Sequence, residues 1–257
     1  MKWTKKILMG ILLVLCCSMV VSAFMFKKEY DKNDKGEIYF LYGTVLEKPF
    51  RHLVITGGNI SNIIYEPSTK PSVRVFKRWW GYHDKRVTTI VRNDTLYLNF
   101  PDKYKDVYEK NQLKNGNMVR IFSPELISVT GFNTNLRLLK LKQQNLSVNI
   151  SGKSNFEVES LSYNFDKISI KASDTAAVVF EISPILKKGG TEDKNEIPAD
   201  VKGWDAFHIK NLHAEVSGNS FVDVGHAQID SIDFKVSDTS AIVLSGGTIK
   251  KHFPGNR

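Results

Sequence analysis

The chain has 257 residues, 42% of them apolar, and a formal net charge of +9. That length holds one large or two small domains, and 15 Phe, 9 Tyr and 4 Trp supply enough apolar mass for a core, which excludes global disorder. Lys2, Lys5 and Lys6 sit at the N-terminal head; the other 33 basic residues face 27 acidic ones, a mildly basic surface and not a nucleic-acid-binding one.

The three lysines precede an apolar run from Ile7 to Phe26. At about 1.5 Å per residue in a helix, it spans roughly 30 Å of hydrocarbon. Two readings compete: a signal peptide cleaved after Ala23, or an uncleaved signal anchor. The stretch before Ala23 lacks a polar region, and Phe24, Met25 and Phe26 continue the run, which favours the anchor. The head lysines then place the N-terminus in the cytoplasm and the bulk of the chain across the membrane. Leu15, before Cys16, is too large for a lipoprotein signal. Cys16 and Cys17 are the chain's two cysteines, so no disulfide framework or thiolate metal site is expected beyond this segment.

Residues 27–48 are charged and then mixed, and read as a tether. A β domain is expected over 49–251, with divergent strands in 49–123, repeats in 124–251 and a tail at 252–257. In the divergent part, strand patterns run from Leu53 to Ile55, Ile60 to Tyr65, Val73 to Phe76, Thr88 to Val91, Leu96 to Phe100 and Val119 to Phe122. Asn93 and Asp94 mark a turn. Lys103 to Asn117 reads as a loop or short helix.

Lys77 to Arg86 lies between two strand patterns and is read as a hairpin tip. Arg78, Trp79, Trp80 and Tyr82 make it the sharpest candidate contact, for sugar rings or lipid headgroups. The competing reading is that one Trp caps the core and the other packs locally.

From Leu146 a motif recurs, with copies at 146–158, 168–180, 212–224 and 232–244. Each is an alternating apolar strand, a Ser-Gly or Ser-Asp corner, a small residue two places on, and a second alternating strand. In the first copy Leu146, Val148 and Ile150 share a face, as do Phe156 and Val158 after the corner. The corner residues are Gly152, Asp174, Gly218 and Asp238; glycine takes positive φ without a clash, and Asp tolerates it. Ser154, Ala176, Ser220 and Ser240 predict tight packing beside each corner. A degenerate copy has its corner at Thr130 and Gly131, with a second strand out of step, suggesting a longer corner. The spacing of 44 between Ser173 and Ser217 is twice the period; the charged segment from Lys187 to Gly203 reads as a loop insertion that accounts for it.

One such repeat cannot bury its own apolar face, so copies must stack. The expected fold is all-β: a right-handed parallel β-helix with repeats of about 20–22 residues; a β-sandwich or prism is the alternative. The ends of a stack must be capped. The strands between Phe50 and Phe100 and the tail from Lys250 to Arg257 are the candidates.

No phosphate loop, dinucleotide fingerprint or nucleophile elbow is present. His208 and His213, five apart in a strand pattern, are expected on opposite faces, wrong for a shared metal. Asp174 and Asp238 could approach as paired carboxylates, but corner hydrogen bonding already accounts for them. No catalytic, cofactor-binding or metal-ligating residue is expected, and no cofactor.

The order of these features resembles the head-GIN-domain family of autotransporter-adhesin-type envelope proteins of Bacteroidetes. The resemblance runs from about Phe50 to Lys250. It is carried by Phe50 to Ile55 with the glycines that follow, Asn93 to Leu98, Ser123 to Leu126 leading into Val129 and Gly131, and Ser-Gly-x-Ser at Ser151 and Ser217. Ser-Asp at Ser173 and Ser237 and the 187–203 insertion depart from it. The resemblance implies a right-handed β-helix, export to the periplasm or surface, and no established enzymatic activity. Together these readings lead to a non-enzymatic envelope-binding module tethered through residues 7–26, with a protein or glycan partner and no nucleic acid. The alternatives are a structural or sensing protein of the inner membrane and a polysaccharide-active enzyme.

Overall fold

A computed structural model describes residues 2–32, 39–101, 103–141, 143–160, 164–182, 208–225 and 227–253. The chain divides into two compact units, Met1–Tyr42 and Gly43–Arg257. In the first, helix α1 (Lys2–Lys32) contains an exposed stretch, Lys6–Lys28, of mean hydropathy 2.7, long and apolar enough to cross a membrane. The helix runs on past Phe26, so the first residues of the expected tether are helical. Lys27 and Lys28 add charge but no helix-breaking residue, and good helix formers extend α1 at little cost.

The second unit is mostly β, built on two mixed sheets that do not close. Its N-terminal strands are β1 (Tyr42–Leu46, shared with the first unit), β2 (His52–Thr56), β3 (Asn62–Pro67), β4 (Ser72–Phe76), β5 (Thr88–Arg92), β6 (Thr95–Asn99) and β7 (Asn117–Ser123). Helix α2 (Trp80–His83) precedes β5, and α3 (Val107–Lys114) joins β6 to β7. Then follow β8 (Ser128–Phe132), β9 (Asn135–Leu139), β10 (Asn145–Ser151), β11 (Asn155–Ser160), β12 (Asn164–Ala172) and β13 (Ala177–Ile182). The last are β14 (His208–Val216), β15 (Phe221–Asp223), β16 (Gln228–Val236), β17 (Ala241–Val243) and helix α4 (Gly246–His252). The nine-stranded sheet has the order β1-β4-β7-β3-β9-β11-β13-β15-β17, and the eight-stranded one β16-β14-β12-β10-β8-β2-β6-β5.

From β8 onward, successive strands alternate between the sheets, and from β10 onward each pairs in parallel with the strand two before. Val129 aligns with Val148, Leu146 with Ile168, Ile168 with Leu212, and Leu212 with Ile232. β14 pairs directly with β12, so no strand is inserted between them in the sheet despite the 44-residue spacing. The insertion from Lys187 to Gly203 lies outside the described residues. Two antiparallel pairs lie in the N-terminal part, between β4 and β7 and between β5 and β6. The β5–β6 hairpin turns on Asn93 and Asp94, at φ 48° and 60°, the left-handed pair its twist requires.

Period two decides what is buried. Leu146, Val148, Ile150, Phe156 and Val158 are all buried, as are their register mates Ile168, Ile170, Ala172, Val178 and Phe180. The rings of Phe165 and Phe180, from facing sheets, meet edge-on at 6.5 Å. The core therefore lies between the two inner faces.

The region expected to be divergent belongs to the same columns. β2 pairs with β8, placing Leu53 beside Val129, and β3 pairs with β9, placing Tyr65 beside Leu138. β6 and β7 in turn lie against β2 and β3. The order of strands in space therefore differs from their order in the chain.

The corners stack too. Gly152, Asp174 and Gly218 have φ of 70°, 69° and 68°. Asp174 Oδ2 accepts from the Gly152 N–H at 2.9 Å. Buried Ser154 Oγ accepts from the Thr134 N–H, and buried Ser220 Oγ from the Ala176 N–H, which satisfies amides the ladders leave over. Asp238 departs from the expectation: it is not among the residues with positive φ, and its corner closes with the Ser240 N–H on the Ser237 carbonyl. The degenerate corner also differs. Gly131 lies inside β8, and Asn133, at φ 51°, takes the corner position, its Oδ1 accepting from the Lys153 N–H. That corner is one residue shorter than the next, not longer.

A side chain at Gly218 would need left-handed backbone and would put its Cβ 2.7 Å from the Asp174 carbonyl oxygen. Gly218→Ala is expected to lower stability by about 1–3 kcal/mol. Gly246→Ala meets no atom within 4 Å and should stay within about 0.5 kcal/mol. Thermal melts of both variants check the contrast.

Candidate functional site

The most distinctive side-chain cluster outside the repeats joins the segment before β5 to α3. The 77–86 segment is not a hairpin tip. β4 and β5 belong to different sheets, and the chain crosses between them through the single turn of α2. A hairpin needs its two strands to be neighbours, and these pair instead with β7 and β6.

α3 is set by its first turn. Asp106 is its N-cap and accepts from the Glu109 N–H at 2.8 Å, while Glu109 Oε2 accepts from the Lys105 N–H. Asp106-x-x-Glu109 resembles a capping box, with the difference that the return bond goes to the residue before the N-cap and not to the N-cap itself. The box leaves Glu109 Oε1 facing inward. There it accepts from Trp79 Nε1 at 2.8 Å and from Arg86 Nη2. The Glu109 side chain is 1% exposed and Arg86 22%. Burial alone would raise the Glu109 pKa; the donors Lys105, Trp79 and Arg86, with the Arg86 charge, outweigh it and hold the carboxyl below the usual glutamate range.

Trp79 is fully buried and stacks on Phe100, with centroids 6.2 Å apart. Gly81 lies against its ring: a Cβ there would sit 2.4 Å from Trp79 Cζ2. Of the four residues expected at a surface contact, Trp79 is thus in the core. Tyr82 is half-buried and lines a 610 Å³ cavity with Val75, His83 and Thr89. Arg78 and Trp80 are exposed.

The exposed part of the cluster was not legible from the 77–86 segment alone. Trp80, 44% exposed, has Lys105 Nζ 4.7 Å above its ring. Tyr104 is also exposed and has Lys110 Nζ at 5.1 Å. Val107 and Tyr108, in the first turn of α3, are 71% and 70% exposed. Next to Tyr104 opens a cleft of 170 Å³, lined by Gly57, Gly58, Asn59, Lys103 and Asn133, with Trp79 and Glu109 behind. The result is an aromatic and basic surface on a rigid base. Exposed rings offer stacking faces, and lysines held over two of them supply positive charge without covering the remaining edges.

The other candidates resolve differently. Asp174 and Asp238 fall in one corner column with Gly218 between them. His208 and His213 lie on the same outer face and not on opposite ones. Lys210 and Asn211 are both exposed between buried Ile209 and Leu212, a local irregularity that reverses the alternation. Each histidine bonds its own carboxylate, Asp230 and Asp233, at 2.8 Å. Among the described residues no group of His, Cys, Asp and Glu could hold a metal ion.

No family model and no curated protein matches the chain. Among solved structures it is similar to a "putative adhesin" from Bacteroides fragilis, at 12% identity and a TM-score of 0.41, covering 79% of this chain and 96% of that one. It is also similar to a "putative lipid binding protein" from Parabacteroides distasonis, at 12% identity and TM-score 0.36, covering 80% and 94%. A third is a "putative adhesin" from Parabacteroides merdae, at 14% identity and TM-score 0.30, covering 79% and 95%.

Glu109→Gln keeps the shape but removes the charge that Arg86 and Trp79 address, and should cost about 2 kcal/mol. The sign with pH follows from the lowered pKa. The native protein's contribution from Glu109 is full above the unfolded-state value, near 4.5, and is lost as pH falls through the lower folded value. Melting temperatures measured from pH 7 to pH 3 should fall less steeply in Glu109→Gln than in the native chain.

Proposed function

We propose that the chain is a non-enzymatic binding module of the cell envelope, held at a membrane by α1 and presenting the Trp80–Tyr104–Tyr108 surface to a glycan or protein partner. The observation that carries this reading is the set of exposed rings with Lys105 and Lys110 over two of them, on a base locked by buried Glu109. A monomeric protein gains nothing in stability from leaving Trp80 and Tyr108 in water, whereas sugar rings stack on such faces.

The finer architecture belongs to the same proposal. Strands that alternate between two sheets and pair in parallel at offsets near 20 residues support a right-handed parallel β-helix of the head-GIN adhesin type. The hydropathy of Lys6–Lys28 supports a membrane-crossing segment, the continuation of the apolar run past Ala23 to Phe26 an uncleaved anchor, and the head lysines an orientation with the β unit on the periplasmic side.

The test uses the full chain in uncharged nanodiscs, co-sedimented with insoluble peptidoglycan, chitin and cellulose. Binding to at least one polymer is expected, with loss of about tenfold in affinity for Trp80→Ala/Tyr104→Ala, equivalent to about 1.4 kcal/mol. The melting temperature should be unchanged. Equal binding by the native chain and the double variant would contradict the assignment of the surface.

A further inference from the structure

The two sheets end differently. At the N-terminal part, antiparallel strands β4 and β5 pair against β7 and β6. At the other end the last strands are β17 and β16, and among the described residues no strand pairs with their outer edges. Helix α4 covers only the beginning of β16: Thr248 Oγ1 donates to the Ala227 carbonyl at 2.9 Å, and Lys251 Nζ and His252 Nε2 to the Ile229 carbonyl at 3.1 and 2.8 Å. Among the described residues no strand covers the edge from Ser231 to Val236.

The core is open there as well. Leu212, Ala214 and Val216 on β14 are buried, but their register mates Ile232 and Phe234 are only half-buried and Val236 is 45% exposed. On the facing sheet Ile242 of β17 and Leu244 just after it are half-buried too. A row of inward apolar side chains that every earlier layer covers is left uncovered in the last.

What fits this edge is written in its own sequence. The Ser237 N–H donates to the Val216 carbonyl, so the odd-numbered residues direct their backbone groups to β14, and Ile232, Phe234 and Val236 direct theirs outward. Reversed and laid alongside itself about Phe234, the strand places Phe234 opposite Phe234, Ile232 opposite Val236, and Asp233 opposite Lys235. Apolar residues meet on the inner face and opposite charges on the outer one, twice over. The backbone groups that point outward are those an antiparallel hydrogen-bonded pair at Phe234 requires.

We infer that the C-terminal edge of β16 is an interface for a second copy of this chain, joined by two-fold antiparallel pairing centred on Phe234. A two-fold contact is self-complementary by construction, and the pattern Ile-Asp-Phe-Lys-Val meets that condition in sign and in size. A lysine on a strand edge discourages pairing with another chain, and in this register Lys235 is met by Asp233 of the second copy.

Single-cysteine variants test both the contact and its register. In a Cys16→Ser/Cys17→Ser background, Asp233→Cys and Lys235→Cys are made in the full chain and incorporated into micelles under mild oxidation. Both side chains are well exposed, 70% and 69%, so folding should be unaffected. In the proposed register Asp233 of one copy faces Lys235 of the other across a non-hydrogen-bonded pair, at about 4.5 Å between Cα atoms, within disulfide reach. The mixture of the two variants should give a disulfide-linked dimer at least tenfold more abundant than either variant alone. Equal cross-linking in a single variant would overturn the register, and no cross-link in any sample would overturn the interface.

Discussion

A parallel strand added to the edge of a sheet must match its neighbour in register, because a slip of one residue turns every apolar side chain to the solvent face. From β8 onward that constraint is imposed from both sheets at once, since successive strands alternate between them. Leu146, Ile168, Leu212 and Ile232 form one column, and Phe156, Val178 and Val222 another. The corners hold the two columns in step. Gly152, Asp174 and Gly218 share a left-handed geometry, and the hydroxyls of Ser154 and Ser220 reach across to the amide of the adjacent layer. With no disulfide available to the β unit, this alignment carries its stability.

The aromatic surface is an interruption placed on that frame. After β3 the chain makes an excursion through β4 to β7 with α2 and α3, in which β6 and β7 pair with one side of β2 and β3, and it returns to place β8 on the other side of β2. Within the excursion, a buried carboxylate does what the ladders do elsewhere. Glu109 collects a capping amide, an indole and a guanidinium, and so ties the segment before β5 to α3. Burying such a charge is unfavourable unless its partners are in place, so the arrangement is all or none. Its consequence is on the outside, where Trp80, Tyr104 and Tyr108 stand on a base that does not need to order itself on binding.

How much of this could be read from the residues depends on distance along the chain. The repeats from Leu146 to Leu244 are close in sequence, and their faces, corners and small buried residues follow from period two. The stacking of β2 on β8 was hidden because the partners are separated by the whole excursion, and a period search has nothing regular to find. The corner at Asn133 was misplaced by two residues, an even shift that leaves the apolar face unchanged and so gave no warning. Strict alternation puts His208 and His213 on opposite faces; the break at Lys210 and Asn211, which no residue type there signals, puts them on one. Trp79 and Trp80 are adjacent, and composition alone does not say which is buried; Gly81, which leaves room for the Trp79 ring, and the capping pair Asp106 and Glu109 were the available signals.

The most direct test of the register is a pair of intrachain cross-links across the part of the stack that the sequence did not reveal. Val54 on β2 lies opposite Thr130 on β8, and Thr130 opposite Asn149 on β10. In a Cys16→Ser/Cys17→Ser background, Val54→Cys/Thr130→Cys should form an intrachain disulfide, because adjacent strands bring the two Cα atoms to about 4.8 Å. Val54→Cys/Asn149→Cys, one strand further apart at about 10 Å, should not. Cross-linking of the second pair in preference to the first would contradict the account of the stack.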